Sequence, residues 1–227
     1  MDKARLWFQL EKLVVTTLVA TPCVVGFLLV EHRIVAYTAA GGSYVQLETW
    51  LDQYIPFVPI FAYPYYLYYL WVLLSVPAVR QRGEFYHAVA AISLVQIVAM
   101  VTYAAFPSFM QRPEVVGNGL GTDLVRKIYQ IDPGFNVMPS LHVGHSTLVA
   151  LLYRSYHRRW YPLIATGTAL ICASTVLIKQ HYVIDLPAGF ALAIAAFYVT
   201  VPVRRLVERR ALARGARQAT TTPATSC

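Results

Sequence analysis

The chain has 227 residues, of which 57% are hydrophobic and only 13% charged, and it carries a formal net charge of +8. Soluble domains are about a quarter charged, and one soluble core of this length cannot hide so much apolar sequence. A soluble globular domain is therefore excluded, and a polytopic membrane protein remains.

Six apolar runs approach the roughly 20 residues that a helix needs to cross a bilayer. They predict an all-α protein with six transmembrane helices over about 13–30, 55–79, 86–106, 139–156, 161–178 and 183–203. Between the first two, Tyr44, Val45, Leu47, Trp50 and Leu51 are spaced for an amphipathic helix lying on the membrane surface within 41–54. Pro56, Pro59 and Pro64 bend the second helix or delay its start. Its aromatic run (Tyr63, Tyr65, Tyr66, Tyr68, Tyr69 and Trp71) reads as an interfacial belt and helix packing rather than as the lining of a lipid groove. The fourth run is interrupted by His142, His145, Ser146 and Thr147. The last segment, 207–227, is rich in Arg, Ala and Thr with no apolar face. It predicts a basic, disordered tail that touches anionic lipid, leaving 1–206 as a single membrane domain. Three cysteines without pairing spacing give no disulfide framework.

Lys and Arg are retained on the cytoplasmic side of membrane proteins. With six spans the termini share a side, and fourteen of the nineteen Lys and Arg fall there. Seven of the eleven acids fall on the other side. Both termini are therefore expected in the cytoplasm, in a plasma membrane of bacterial type, with His87 and His157 at the inner interface. By the same count Arg112, the start of the fourth span at Pro139–His142, and the turn Lys179–Asp185 all lie outside. The polar strings meet at one face by an argument that never used their chemistry.

That chemistry is suggestive. An imidazole is a competent nucleophile toward phosphorus if one ring nitrogen is free and the other keeps its proton, and a carboxylate on the second nitrogen fixes that tautomer. His181 and Asp185 are four apart, which places them on one face if the sixth helix begins at His181. His142 on a facing helix is positioned to give a proton to a leaving alkoxide. Arg112 and Lys179 are the candidate cations for phosphoryl oxygens. Ser140, as a helix cap, would add backbone donors.

The strings Arg112-Pro113, Pro139-Ser140-Leu141-His142, and Ser174-Thr175 with His181 and Asp185 resemble the three motifs of the type-2 phosphatidic acid phosphatase superfamily. The resemblance covers about 106–189. It implies a six-helix membrane core with an outward-facing site, His181 as nucleophile, Asp185 as its orienting partner and His142 as general acid and base. It also implies Arg112 and Ser174 near the phosphate. The chain departs from the pattern at Ala105, where a lysine is usual, at Thr175, where an arginine is usual, and at Leu141 in place of a glycine. Lys179, and Arg126 or Lys127, are the available replacements for the two cations. These departures resemble the subgroup of inositol phosphorylceramide and sphingomyelin synthases, in which a phospho-group passes between lipid alcohols.

The sequence reading is thus a lipid phosphatase or phosphotransferase acting on a lipid phosphate, diphosphate or phosphodiester, with a slight lean to hydrolysis. It expects membrane lipids as surroundings, no nucleic-acid partner, no cofactor and no metal. Two other readings stand beside it. His142 and His145 could be half of a metal site completed by His181 or Asp185. A transporter or flippase would instead show internal repeats and a midplane site, and the chain shows no repeat.

Overall fold

The computed structural model describes residues 3–221, and every regular element among them is helical. Helix α1 (Lys3–Ala39) is followed by the short α2 (Trp50–Tyr54). A 3-10 turn over Pro59–Phe61 leads into α3 (Ala62–Leu73). Then come α4 (Arg82–Ala105), α5 (Leu120–Ile131), α6 (Leu141–Tyr156), α7 (Tyr161–Leu177), α8 (Asp185–Val199) and α9 (Val201–Thr221).

Three stretches are long and apolar enough to cross a membrane: Arg5–Ala39, Arg82–Ala105 and Asp185–Ala213. On α1, Leu13, Leu18, Val24, Leu28 and Leu29 are all exposed. So large an apolar surface on a folded chain fits contact with lipid rather than water. Helices α3, α6 and α7 have 12, 16 and 17 residues, fewer than the sequence expectation for their spans. For α3 the prolines explain the difference. Pro56 and Pro59 hold the chain out of α-helix until Ala62, and irregular turns take over after Leu73.

Helix α4 packs against α1, α6, α8 and α9, while α6 packs against α7 and α8, and α3 against α6 and α7. Close approach depends on missing side chains, as is common where membrane helices meet. A Cβ at Gly167 would stand 2.2 Å from the Trp71 ring, which instead lies over α7 with its indole N–H donating to Thr168 at 3.0 Å. A Cβ at Gly189 of α8 would stand 2.7 Å from the Ser140 carbonyl oxygen at the head of α6. The main core cluster fills the space between α4, α6, α7 and α8, with Val95, Leu148, Ile171 and Ala193 fully buried.

Contacts at the two ends of the bundle sort the loops. At one end Lys12 donates to the Val79 carbonyl at 2.7 Å and Arg82 pairs with Glu11 at 2.6 Å. His87 lies at this end too, but it is buried rather than interfacial. Its Nε2 donates to the Phe197 carbonyl at 2.8 Å and Nδ1 accepts from the Tyr156 hydroxyl at 2.7 Å. At the other end Val45 bonds to Pro107 and Phe109, and Asp52 accepts from the Val183 amide at 2.8 Å.

Three elements differ from the sequence expectation. The surface helix shrinks to the five residues of α2, because Thr49 and Asp52 cap it at that point: the Thr49 amide and hydroxyl both donate to Asp52 Oδ2, at 2.8 and 2.7 Å. Helix α5 lies between the third and fourth predicted spans, where no helix is expected from the sequence. Leu124, Val125, Ile128 and Ile131 recur at helical spacing there, opposite Asp123, Arg126 and Lys127. Finally, the chain stays helical through Thr221 where a disordered tail is expected from 207; Ala, Arg and Gln there are good helix formers. Residues 222–227 of that expected tail lie outside the described residues. The α8–α9 break at Thr200 falls where Pro202 cannot donate to the carbonyl four residues back.

Candidate active site

The site is assembled from two helix ends. Helix α7 stops in a Schellman turn: the Gln180 amide donates to the Thr175 carbonyl at 2.8 Å and the Lys179 amide to Val176 at 3.2 Å. Lys179 takes the left-handed conformation that such a turn requires, with φ 51°. The His181 amide also donates to Thr175, at 3.1 Å, so the turn carries His181 back toward α6. Helix α6 begins at Leu141, with Ser140 as its cap accepting from the Val143 amide at 3.3 Å. This places His142 in its first turn. The α6–α8 contact at Gly189 then sets the two histidine rings 5.6 Å apart, centroid to centroid.

His181 is buried, and its Nδ1 faces two acceptors: the Val137 carbonyl at 2.8 Å and Asp185 Oδ2 at 3.2 Å. A nitrogen facing two acceptors carries the proton, which leaves Nε2 with the free lone pair. Asp185 Oδ2 also accepts from the Tyr182 amide at 2.9 Å, and the carboxylate is fully buried. The pair forms in the turn that precedes α8, not along a helix face. Helix α8 starts only at Asp185, so the four-residue spacing meets here through a turn-and-cap geometry.

His142 lies between two tyrosine rings of α3, with Tyr65 at 4.5 Å and Tyr68 at 4.2 Å between centroids. Its Nε2 is buried without a partner. His145, one turn deeper, shares a 2.8 Å hydrogen bond with the Tyr68 hydroxyl. Among the described residues no group of three His, Cys, Asp or Glu side chains comes together as a metal site would require. Tyr103 donates to the Pro139 carbonyl at 2.6 Å, tying α4 to the segment that enters α6.

The remaining residues singled out from sequence take other positions. Arg112 Nη2 donates to Asp132 Oδ1 at 2.8 Å and to Gln180 Oε1 at 2.6 Å, and Nη1 donates to the Asp132 carbonyl. Its guanidinium lies 4.7 Å above the Tyr129 ring, whose hydroxyl burial pushes up to about 12. Gly134 beside it takes φ 86°, and a Cβ there would stand 3.2 Å from the Met110 carbonyl oxygen. Lys179 points away from the histidines. Its ammonium donates to the carbonyls of Asp52 at 2.9 Å and Ile55 at 2.6 Å, closing α2, and burial pushes it below the usual lysine range. Ser174 is fully buried and its hydroxyl donates to the Ile171 carbonyl at 2.6 Å. Arg126 bonds to Asp123 and to the Val115 and Gly117 carbonyls, and Lys127 is exposed.

The histidines stand at one end of a cavity of about 590 Å³. Its long wall runs along α1 from Thr16 to Glu31, about 22 Å at 1.5 Å per residue. Tyr65, Tyr66, Tyr68 and Tyr69 form the facing wall, so part of the aromatic run does line a groove. Glu31, Asp132, Asn136 and Gln180 join the histidines at the polar end. None of these four is marked by a motif. Only their position beside the motif strings could have drawn notice to Asp132, Asn136 and Gln180.

A family model described as PAP2 superfamily matches residues 39–199. The chain belongs to the PAP2 superfamily. The match takes in every helix from α2 to α8 and all three polar strings, and leaves all of α1 but Ala39 outside. Membership in the PAP2 superfamily points to a membrane protein with a phosphatase- or phosphotransferase-type function. No curated protein and no solved structure matches the chain.

Proposed function

We propose that this PAP2 protein is an integral membrane lipid phosphatase that cleaves its substrate through a covalent phospho-histidine at His181. The observation that carries the reading is the His181 ring. With Nδ1 held by Val137 and Asp185, Nε2 presents a lone pair beside His142 at the polar end of an apolar cavity. In the first step Nε2 attacks phosphorus, an N–P bond forms, and the P–O bond to the leaving alcohol breaks as His142 gives that oxygen a proton. In the second, His142 takes a proton from water, whose oxygen attacks phosphorus, and the N–P bond breaks. Asp185 stabilises the positive ring of the intermediate. No step calls for a metal.

The substrate is a lipid whose tail lies along α1 and α3 while its phosphate meets the histidines. Six spans, both termini in the cytoplasm and an outward-facing site complete the reading. The sorting of loops supports it, since Lys12, Val79 and Arg82 meet at one end and Asp52, Arg112 and Lys179 gather at the other. Transfer to a lipid alcohol, as in the inositol phosphorylceramide synthase-like subgroup, is favoured by one feature: the usual cations are absent at Ala105 and Thr175. The test is to incubate purified protein with lipid phosphates, with and without lipid alcohols. Free phosphate supports hydrolysis; phosphodiester as the only product would overturn it. Turnover retained in His181→Ala would overturn both readings.

A further inference from the structure

The end of the bundle opposite the histidines carries a second pocket, of about 580 Å³. Arg5, Phe8 and Lys12 of α1 form one side of it, and Val76, Val79 and Arg80 the other. Three and four residues apart, the α1 members share one helix face. The stretch of α1 from Lys12 to Glu31 spans about 28 Å, so the pocket is remote from the polar end of the catalytic cavity. Its α1 residues lie outside residues 39–199, the part of the chain that the family model matches.

The pocket is basic, and the nearby acids are engaged elsewhere. Glu11 pairs with Arg82 and accepts from the Tyr86 hydroxyl at 2.9 Å. Glu84 accepts from the Arg80 and Gln81 amides at 2.8 and 3.1 Å, capping α4, and Glu208 pairs with Arg204. Among the described residues no carboxylate forms an ion pair with Arg5, Lys12 or Arg80. Lys12 is 7% exposed, and its ammonium gives one of its three donors to the Val79 carbonyl. It lies 4.8 Å above the Phe8 ring, which packs edge-on against Phe85. A buried cation is costly without a counter-charge, and this one is held in place with donors to spare. Arg5 and Arg80 stand exposed at the rim. Phosphate oxygens accept charge-assisted bonds from all three groups.

The pocket also has an apolar exit. Val76 and Val79 line both this pocket and the long cavity between α1 and α3. A headgroup held by the cations can therefore lay an acyl chain into that cavity. Free phosphate would use the cations and leave the apolar exit empty, whereas a phospholipid uses both. A choline or ethanolamine headgroup would bring its own cation among these three, so an anionic headgroup fits best.

We propose that Arg5, Lys12 and Arg80 bind the phosphate of an anionic phospholipid from the leaflet at this end of the bundle. One acyl chain enters the cavity past Val76 and Val79. The site is independent of the reaction proposed for His181.

The test is native mass spectrometry of the full-length protein in a neutral detergent, with dioleoyl phosphatidylglycerol against dioleoyl phosphatidylcholine. The two lipids share their chains and differ in headgroup charge, and the adduct mass reports intact lipid. The protein is expected to hold phosphatidylglycerol at least about 25-fold more tightly. Arg5→Gln with Arg80→Gln should cut that preference about 25-fold, roughly fivefold per cation, while binding of phosphatidylcholine shows that the fold is kept. Arg158→Gln with Arg159→Gln removes two exposed cations of the α6–α7 turn, at the same end but outside the pocket, and should leave the preference intact. Equal affinity for the two lipids, or equal losses in the two double variants, overturns the site. Ammonium phosphate in place of ammonium acetate at equal ionic strength should leave the lipid bound. Its displacement would assign the pocket to free phosphate and overturn the proposal.

Discussion

Substituting Gly189 by alanine should uncouple the two histidines without touching either. In α8 the new Cβ would stand 2.7 Å from the Ser140 carbonyl oxygen and 2.9 Å from Val143 Cβ. Neither atom can swing aside: the Ser140 carbonyl accepts from the Gly144 amide at 2.9 Å, and Val143 is fully buried. Relief to ordinary contact moves the head of α6 by about half an ångström, and His142 moves with it. Since a 1 Å misplacement costs about a hundredfold in rate, Gly189→Ala should lose about tenfold in kcat. Overpacking costs about 1–3 kcal/mol, whereas glycine to alanine in an unobstructed helix gains about 1 kcal/mol, so Tm should also fall. Gly144→Ala is the control. Its Cβ meets the Val95 Cγ1 methyl at 3.1 Å, which a shift of a few tenths of an ångström relieves, and it should keep most of its activity. The assay is kcat on a lipid phosphate together with Tm in detergent. A Gly189→Ala protein with full kcat and a raised Tm would refute the reasoning.

Asp185→Asn should lower kcat by roughly a hundredfold, less than the roughly 10⁴-fold loss typical when a nucleophile's orienting carboxylate is the sole tautomer guide. The Val137 carbonyl, at 2.8 Å, continues to hold the Nδ1 proton, and steady-state rates across pH would show the remaining activity. Lys179→Gly should be more stable than Lys179→Ala by about 1 kcal/mol, because only glycine takes φ 51° without cost. Thermal melts of the two proteins check this, and the reverse order would contradict the turn. Exhaustive treatment with EDTA should leave turnover unchanged, since no step uses a metal-activated water; a loss restored by a divalent cation would contradict it.

What could be read from sequence was governed by the length of each signal. Long apolar runs gave α1, α4 and the α8–α9 stretch, because hydropathy needs only composition over some twenty residues. The same signal overestimated α3, where prolines prevent regular helix at Pro56 and Pro59. Helix α5 escaped because its apolar stripe is short and lies between two irregular segments. His142, His181 and Asp185 were visible as strings, and the structure brings all three together. Lys179 was misjudged for a physical reason. A cation two residues from His181 suggests phosphate binding, yet the left-handed turn aims its side chain at α2. Glu31 was illegible, since α1 reaches the site only through packing that no local pattern encodes.

The central claim is that His181 becomes covalently bonded to phosphorus. The direct measurement is a rapid acid-free quench of the protein with its lipid substrate, followed by mass spectrometry of the peptide containing Lys179–Asp185. The account predicts a phosphorus adduct on His181 that accumulates within one turnover, is lost in His181→Ala and persists longer in His142→Ala. Full turnover with no adduct on His181, or an adduct on another residue, would contradict it.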